Sequence, residues 1–262
     1  MGIVNVTPDS FSDGGRFFDP PAAVEHALSL AAAGADILDI GAESTRPRAA
    51  PVPEAEELDR LIQVVEGVRA RTDLPISVDT MKPAVARAAM AAGADIWNDV
   101  TALRWSPESL RTAAALGCGV VLMHMLGEPG SMQDDPRYDD VVAEVSAFLA
   151  DRAEAAVAAG VRREAIWVDP GIGFGKTVAH NLSLLAHLDR IAALGFPVVL
   201  GVSRKRFITA LDPVPEKGAG RLGGSLAAGL AGASKGAAIL RVHDVRESVQ
   251  ALAVAAAIEA AS

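Results

Sequence analysis

Short apolar runs recur along the chain, and most of them stop at a polar or charged side chain. The clearest is Ile166–Asp169, followed by glycines that end in Lys176 (IWVDPGIGFGK). Such a run is too short for an ordinary helix and too apolar for a solvent-facing loop, so it predicts a buried strand with polar groups at its C-terminal end. Other runs end in the same way at Asn5, Asp39, Asp79, Asn98 with Asp99, His124, Ser203 with Lys205, and Arg241 with His243. Between them lie alanine-rich helical segments, and Gly34, Gly93, Gly117, Gly160, Gly195 and Gly236 each stand just before the next strand. A glycine past a helix adopts the left-handed backbone that ends it at little cost, which predicts short helix-to-strand turns.

The pattern predicts strands near 1–6, 36–41, 75–80, 95–99, 119–124, 165–169, 197–202 and 237–243. Helices are expected near 20–33, 53–71, 83–92, 107–116, 139–159, 178–194, 224–235 and 245–260. Strict alternation without a composition break predicts an α/β fold, a (β/α)8 TIM barrel forming a single domain over 1–262. An open doubly wound sheet would call for a glycine-rich turn after the first strand, and Asn5–Asp9 is not one. In a barrel the C-terminal ends of the strands carry the site. The long, polar connections 7–19, 42–53, 125–138 and 203–222 fall on that face.

The length of 262 residues and the half-apolar composition suit one barrel. A formal charge of -9 argues against nucleic acid or an anionic membrane as a general partner. No apolar stretch is long enough to span a bilayer. The start has no signal-peptide pattern, and Val6 stands where a myristoylation signal needs serine or threonine. With Cys118 as the lone cysteine, in apolar surroundings, the expectation is a cytoplasmic protein without an intrachain disulfide.

Two motifs are set aside. Gly171–Thr177 ends like a phosphate-binding loop, but that pattern needs glycine where Pro170 stands. His124, His180, His187 and His243 show no zinc-ligand spacing, and His180 with His187 is expected to face solvent. What remains is a converging set. Asp79, Asn98 and Asp169 end three separate strands and offer acceptors plus one amide, which suits a flat heterocycle whose edge carries N–H donors. Left unpaired in a barrel, each would cost about 1–3 kcal/mol. Arg46, Lys205, Arg241 and His243 form a basic set suited to an anionic leaving group, whereas Arg204 and Arg206 read as solvated or ion-paired side chains.

Eight stretches then resemble one family in order and spacing. Met1–Gly15 (MGIVNVTPDSFSDGG) and Gly41–Pro47 (GAESTRP) resemble the two long-loop signatures of dihydropteroate synthase. Ser77–Thr80, Asn98–Asp99, Met123–Met125, Asp169–Lys176, Ser203–Lys205 and Arg241–His243 agree with the same family. The resemblance implies a (β/α)8 barrel that condenses 6-hydroxymethyl-7,8-dihydropterin diphosphate with 4-aminobenzoate, giving 7,8-dihydropteroate and pyrophosphate. It further implies a homodimer, Mg2+ at the diphosphate, and a target of sulfonamides.

Carried over residue by residue, the resemblance implies that Asp79, Asn98, Asp169 and Lys205 hold the pterin, with Asn5 at the magnesium and diphosphate. Arg241 and His243 would take the phosphates, and Asp79, Asp169, Lys205 and Arg241 would form the catalytic set. Thr45, Arg46, Pro47, Phe174 and Ser203 would surround the aminobenzoate, and Phe11 and Asp13 would sit on a mobile first loop. Arg48 and Ala42 stand where the family usually has glycine, and the chain starts at the first strand, so the floor of the barrel is expected to be less well closed. The alternatives are a catalytically silent pterin-binding paralogue and a methyltransferase domain serving a corrinoid partner. Asn5, Asp79, Asp169, Lys205 and Arg241 argue against the first. The Ser44–Pro47 loop and Ser203–Lys205 argue against the second.

Overall fold

The apolar runs become eight strands: β1 (Gly2–Asn5), β2 (Leu38–Gly41), β3 (Ile76–Asp79), β4 (Ile96–Asp99), β5 (Gly119–Met123), β6 (Ile166–Asp169), β7 (Val198–Leu200) and β8 (Ala237–Leu240). The structure is a computed structural model and describes residues 1–6, 19–43, 52–127, 132–213 and 219–261. Each strand pairs in parallel with the next in chain order. The sheet curls back on itself: Ile3 donates to the Val242 carbonyl at 3.0 Å, and Val242 to that of Met1 at 2.9 Å. This is the (β/α)8 barrel architecture that alternation predicts.

Helices α1 (Pro20–Ala32), α2 (Glu54–Arg69), α3 (Pro83–Ala91), α4 (Ser109–Leu116) and α5 (Val141–Ala158) follow the first five strands. After β6 and β7 come α6 (Val178–Ala186), α7 (Leu188–Ala192), α8 (Arg206–Leu211) and α9 (Leu222–Ala233), and α10 (Val245–Glu259) closes the chain. Among the described residues no helix is long and apolar enough to cross a membrane. Local chemistry sets the boundaries. The Asp140 carboxylate accepts from the Val142 and Ala143 amides at the start of α5, and Thr177 with His180 forms a capping box on α6. All six junction glycines have positive φ.

Alternation along the strands sorts the core into two shells. Outward residues such as Leu38, Ile40, Trp97, Leu122, Ile166 and Leu200 pack under the helices and are fully buried. Each such side chain contributes roughly 1.5–3 kcal/mol. Inward, Met1, Ile96, Val121 and Val199 make an apolar floor. Further along the strands the interior turns polar, first with Asp39 and Ser77, then with Asp79, Asn98 and Asp169, all buried.

Three details depart from expectation. The segment 178–194 is two helices, broken at His187, whose backbone leaves the helical region (φ -122, ψ 32) and whose ring nitrogen lies 2.9 Å from the Ser183 carbonyl. The long connection 203–222 contains α8 and a 3-10 turn over Ala219–Arg221, both too short to register as periodicity. His180 does not face solvent freely, because its ring meets Tyr138 edge-on at 4.9 Å.

The sheet is laced unevenly. The pairs from β1 to β6 share three or four registered residues each, but β6 and β7 share only Val168 with Val198, and β7 and β8 slip between Val198 and Val199. The ends of the second long connection are tied instead by a buried cation. Lys82 bonds to Glu43 at 2.5 Å, to the Val52 carbonyl at 2.9 Å and to Glu57.

The turn after β6 admits no side chain at one point. Gly171 has φ +67, and a Cβ there would lie 1.9 Å from the His124 carbonyl oxygen, whereas Gly117 has φ +64 and open space around it. Left-handed strain of about 1–2 kcal/mol applies to both, and overpacking of about 1–3 kcal/mol applies to Gly171 alone. In urea denaturation Gly171→Ala is therefore expected to lose at least twice the stability lost by Gly117→Ala.

Candidate active site

Asp79, Asn98, Asp169, Phe174, Lys205 and Arg241 line one cavity at the C-terminal ends of the strands, walled on its apolar side by Val100, Met123 and Ile172. The convergence expected from three strand ends is therefore present. Two basic residues face the acidic set across this space. Arg241 donates from Nε to Asp39 at 2.6 Å and from Nη2 to Asp79 at 2.9 Å. Lys205 sits 4.2 Å from the Phe174 ring centroid, a cation–π contact that fixes both side chains.

Burial and charge set the protonation chemistry. Burial pushes the Asp79 carboxyl up, opposed by the Arg241 guanidinium. The same desolvation raises Asp169, against the Gly171 amide, which donates to it at 2.7 Å. Lys205 is lowered to about 8 by burial, with Asp169 acting the other way. For Arg241, burial works against the charge, but the carboxylates of Asp39 and Asp79 outweigh it and leave the guanidinium more basic than usual.

His243 does not join the basic set. Burial and the neighbouring cations Arg204 and Arg241 lower it to about 3, so it is a neutral imidazole, 3.0 Å from the Ser203 hydroxyl, which also accepts from the His243 amide at 3.2 Å. Asn5 ends β1, partly exposed and level with Gly41 of β2. Phe11, Asp13, Thr45, Arg46, Pro47 and Arg48 lie outside the described residues.

Arg204 is ion-paired, as its sequence context suggests, and it also shapes the site. Its guanidinium meets Asp244 at 2.5 and 3.1 Å, while its backbone is left-handed at φ 57. The Arg204 amide donates to Ser225 at 2.9 Å and its carbonyl accepts from Arg221 at 2.8 Å. These bonds hold a strained turn between Ser203 and Lys205. Asp99 points away from the cavity; its carboxylate accepts from Thr101 and Leu103 and so supports left-handed Ala102 and Leu103.

Sequence reasoning left out two buried groups. Asp39, fully buried inside the barrel, accepts from Ser77, Asn98 and Arg241. Its sequence signal was the one it shares with Asp79, an acidic residue at the end of an apolar run. Lys176, the terminal residue of the glycine-rich loop, turns inward, 2.9 Å from both the Phe174 carbonyl and the His124 ring. Burial lowers its ammonium to about 7. This agrees with setting aside a phosphate-binding loop.

Comparison with known proteins matches residues 1–243 to the family of pterin binding enzymes. The dihydropteroate synthase of Escherichia coli (strain K12) is 48% identical over 255 residues, covering 97% of this chain and 89% of that protein. The chain belongs to the dihydropteroate synthase family. Among solved structures, Xanthomonas albilineans dihydropteroate synthase with 4-aminobenzoic acid is 55% identical, with TM-score 0.93 over 99% of this chain and 92% of that one. The same Xanthomonas enzyme in complex with 7,8-dihydropteroate is 53% identical, with TM-score 0.90 over 99% and 93%. As a member of the dihydropteroate synthase family, the chain is a transferase of folate biosynthesis.

The neutral His243 leads to a measurable proton count. Its folded value of about 3 lies below the ordinary 6.5, so between these pH values unfolding takes up a proton and stability falls as pH drops. His124 acts in the same sense, also at about 3, while Asp79 at about 7 and Asp99 at about 6 release protons on unfolding in that window. The difference between variants isolates one group. At pH 5, His243→Asn is expected to reduce proton uptake on unfolding by about one, read by calorimetry in buffers of differing ionisation heat.

Proposed function

We propose that the chain transfers the 7,8-dihydropterin-6-ylmethyl group from its diphosphate to the amino nitrogen of 4-aminobenzoate, releasing pyrophosphate and forming 7,8-dihydropteroate. The observation that carries this reading is the meeting of Asp79, Asn98 and Asp169 with Lys205 and Arg241 around one cavity. Three acceptor groups match the N–H donors along one edge of a pterin, and Lys205 supplies a donor for a ring acceptor. The ligands named for the Xanthomonas albilineans structures are a reactant and the product of that step.

Breaking the bond between the methylene carbon and the diphosphate oxygen leaves positive charge at the carbon and negative charge on the pyrophosphate. Arg241, held by Asp39 beneath the cavity and by Asp79 in its wall, presents fixed positive charge to the departing oxygens. The carboxylates of Asp79 and Asp169 stabilise the ring while it is electron-poor. The aminobenzoate nitrogen then bonds to the carbon and gives up a proton. No side chain serves as nucleophile, so the main demand on the protein is to hold both reactants in line. Phe174, packed against Lys205, and Ser203, bonded to His243, are the described side chains assigned to the aminobenzoate.

Magnesium enters this reading with the diphosphate. Among the described residues no group of three or more acidic, imidazole or thiol side chains is placed to hold a metal. Asn5 offers one neutral oxygen, which fits Mg2+ bound chiefly by phosphates and water. When bound, the ion would neutralise charge on the leaving group. The reading also takes residues 1–262 as one cytoplasmic barrel domain that pairs with a second copy. Exposed Val254 and Ile258 on α10 support a covered face, and a sedimentation mass of one chain would count against the homodimer.

Turnover is tested by pyrophosphate release that depends on aminobenzoate, with and without Mg2+; a protein that binds the pterin diphosphate and releases nothing overturns the proposal. Asp169→Asn removes a charged acceptor, worth about 1.5–3 kcal/mol. It is expected to weaken pterin binding about 10- to 100-fold while leaving 4-aminobenzoate affinity nearly unchanged. Equal losses in titration calorimetry would contradict the assigned roles.

A further inference from the structure

We infer that Asp39 is a positioning residue that fixes, from beneath the cavity, which atoms of Asn98 and Arg241 the ligand meets; this rests on the pterin reading above. Asp39 is fully buried, one layer deeper than the cavity-lining residues, between the apolar floor and the mouth. It is not among the residues that line the cavity. Its carboxylate nevertheless touches two that do.

The first is Asn98, whose Nδ2 lies 3.3 and 3.5 Å from the two oxygens of Asp39. An ionised carboxylate accepts hydrogen bonds and cannot donate, so it excludes the flipped amide that would set oxygen against oxygen. Asn98 is thereby forced to turn Oδ1 toward the cavity. A neutral side chain that offers donor or acceptor with equal ease becomes an acceptor alone, in line with the carboxylates of Asp79 and Asp169.

The second is Arg241. Asp39 holds Nε at 2.6 Å, Asp79 holds Nη2 at 2.9 Å, and Nη1 has neither of these partners. Two anchors from different strands fix the plane of the guanidinium and leave an edge for an anion. Ser77 donates to Asp39 at 2.6 Å and holds the carboxylate in turn. One buried carboxylate thus sets the polarity of the ring-facing amide and the direction of the phosphate-facing cation.

The test is calorimetric binding of 6-hydroxymethyl-7,8-dihydropterin, which reports the ring, and of its diphosphate, which reports ring and tail. Asp39→Asn, which keeps the shape, is expected to weaken the ring alone about tenfold and the diphosphate by a further factor of about ten, since charge-assisted bonds are the stronger ones. In an Asn98→Ala background the same substitution is expected to change ring binding by less than about twofold, because its route to the ring is gone. A merely structural role predicts an equal loss in both backgrounds, and that result overturns the inference. So does a folded Asp39→Asn protein with wild-type affinity for both ligands. If Asp39→Asn does not fold, Ser77→Ala keeps the charge and loosens its tether. A loss of about threefold in ring binding supports the inference, and no change rejects it. A wild-type protein that binds no pterin overturns the proposed function and this inference with it.

Discussion

A guanidinium enclosed by two carboxylates inside a barrel is the constraint around which the mouth is built. Arg241, Asp39 and Asp79 come from three strands, and none of them tolerates burial without the others. Removing the cation would leave two close acids uncompensated; removing an acid would free the cation to move. The arrangement is poor as a source of stability, since well-packed apolar groups of similar volume would serve the fold as well or better. Its value is in direction. Charges that must satisfy each other at fixed angles leave a defined remainder for a ligand.

Around that centre, rigidity comes from backbone turns more than from side-chain bulk. Arg204 is held in the left-handed region by Ser225, Arg221 and Asp244, which places Ser203 and Lys205 on either side of one tight turn. Asp99 does the same for Ala102 and Leu103 after β4. After β6, Gly171 and Gly175 pass so near the backbones of His124 and Leu126 that the two loops fit as one surface, with Lys176 bonded across the seam to His124. Strain of this kind persists where the surroundings over-determine it, and here each instance lies on a loop that bears a cavity-lining residue.

Strand ends were legible in the sequence because a short apolar run that stops at a carboxylate has few other physical explanations. That logic located Asp79, Asn98 and Asp169, and the alternation of such runs with helices, six of them closed by a glycine, located the barrel. It marked Asp39 as a run end too but did not place it in the site, because a single acid carries no mark of whether it faces the barrel axis or the helices. Parity along β2 decides this, and parity depends on register. The charge of His243 was likewise unreadable, since it depends on burial first and then on Arg204, a cation distant in sequence, as well as on nearby Arg241. The break at His187 and the short α8 were missed for a simpler reason: neither runs long enough to show a period.

The uneven lacing of the sheet divides the barrel mechanically. Asp79 and Asn98 end β3 and β4, each registered to its neighbours over three or more residues, whereas β7, which leads to Ser203 and Lys205, is registered to β6 at a single residue and slips once against β8. Fewer shared hydrogen bonds make for easier local opening. The barrel is therefore stiff beneath Asp79 and Asn98 and gives most readily at the seam between β6 and β7, so the cavity can change width there without any change on its opposite side.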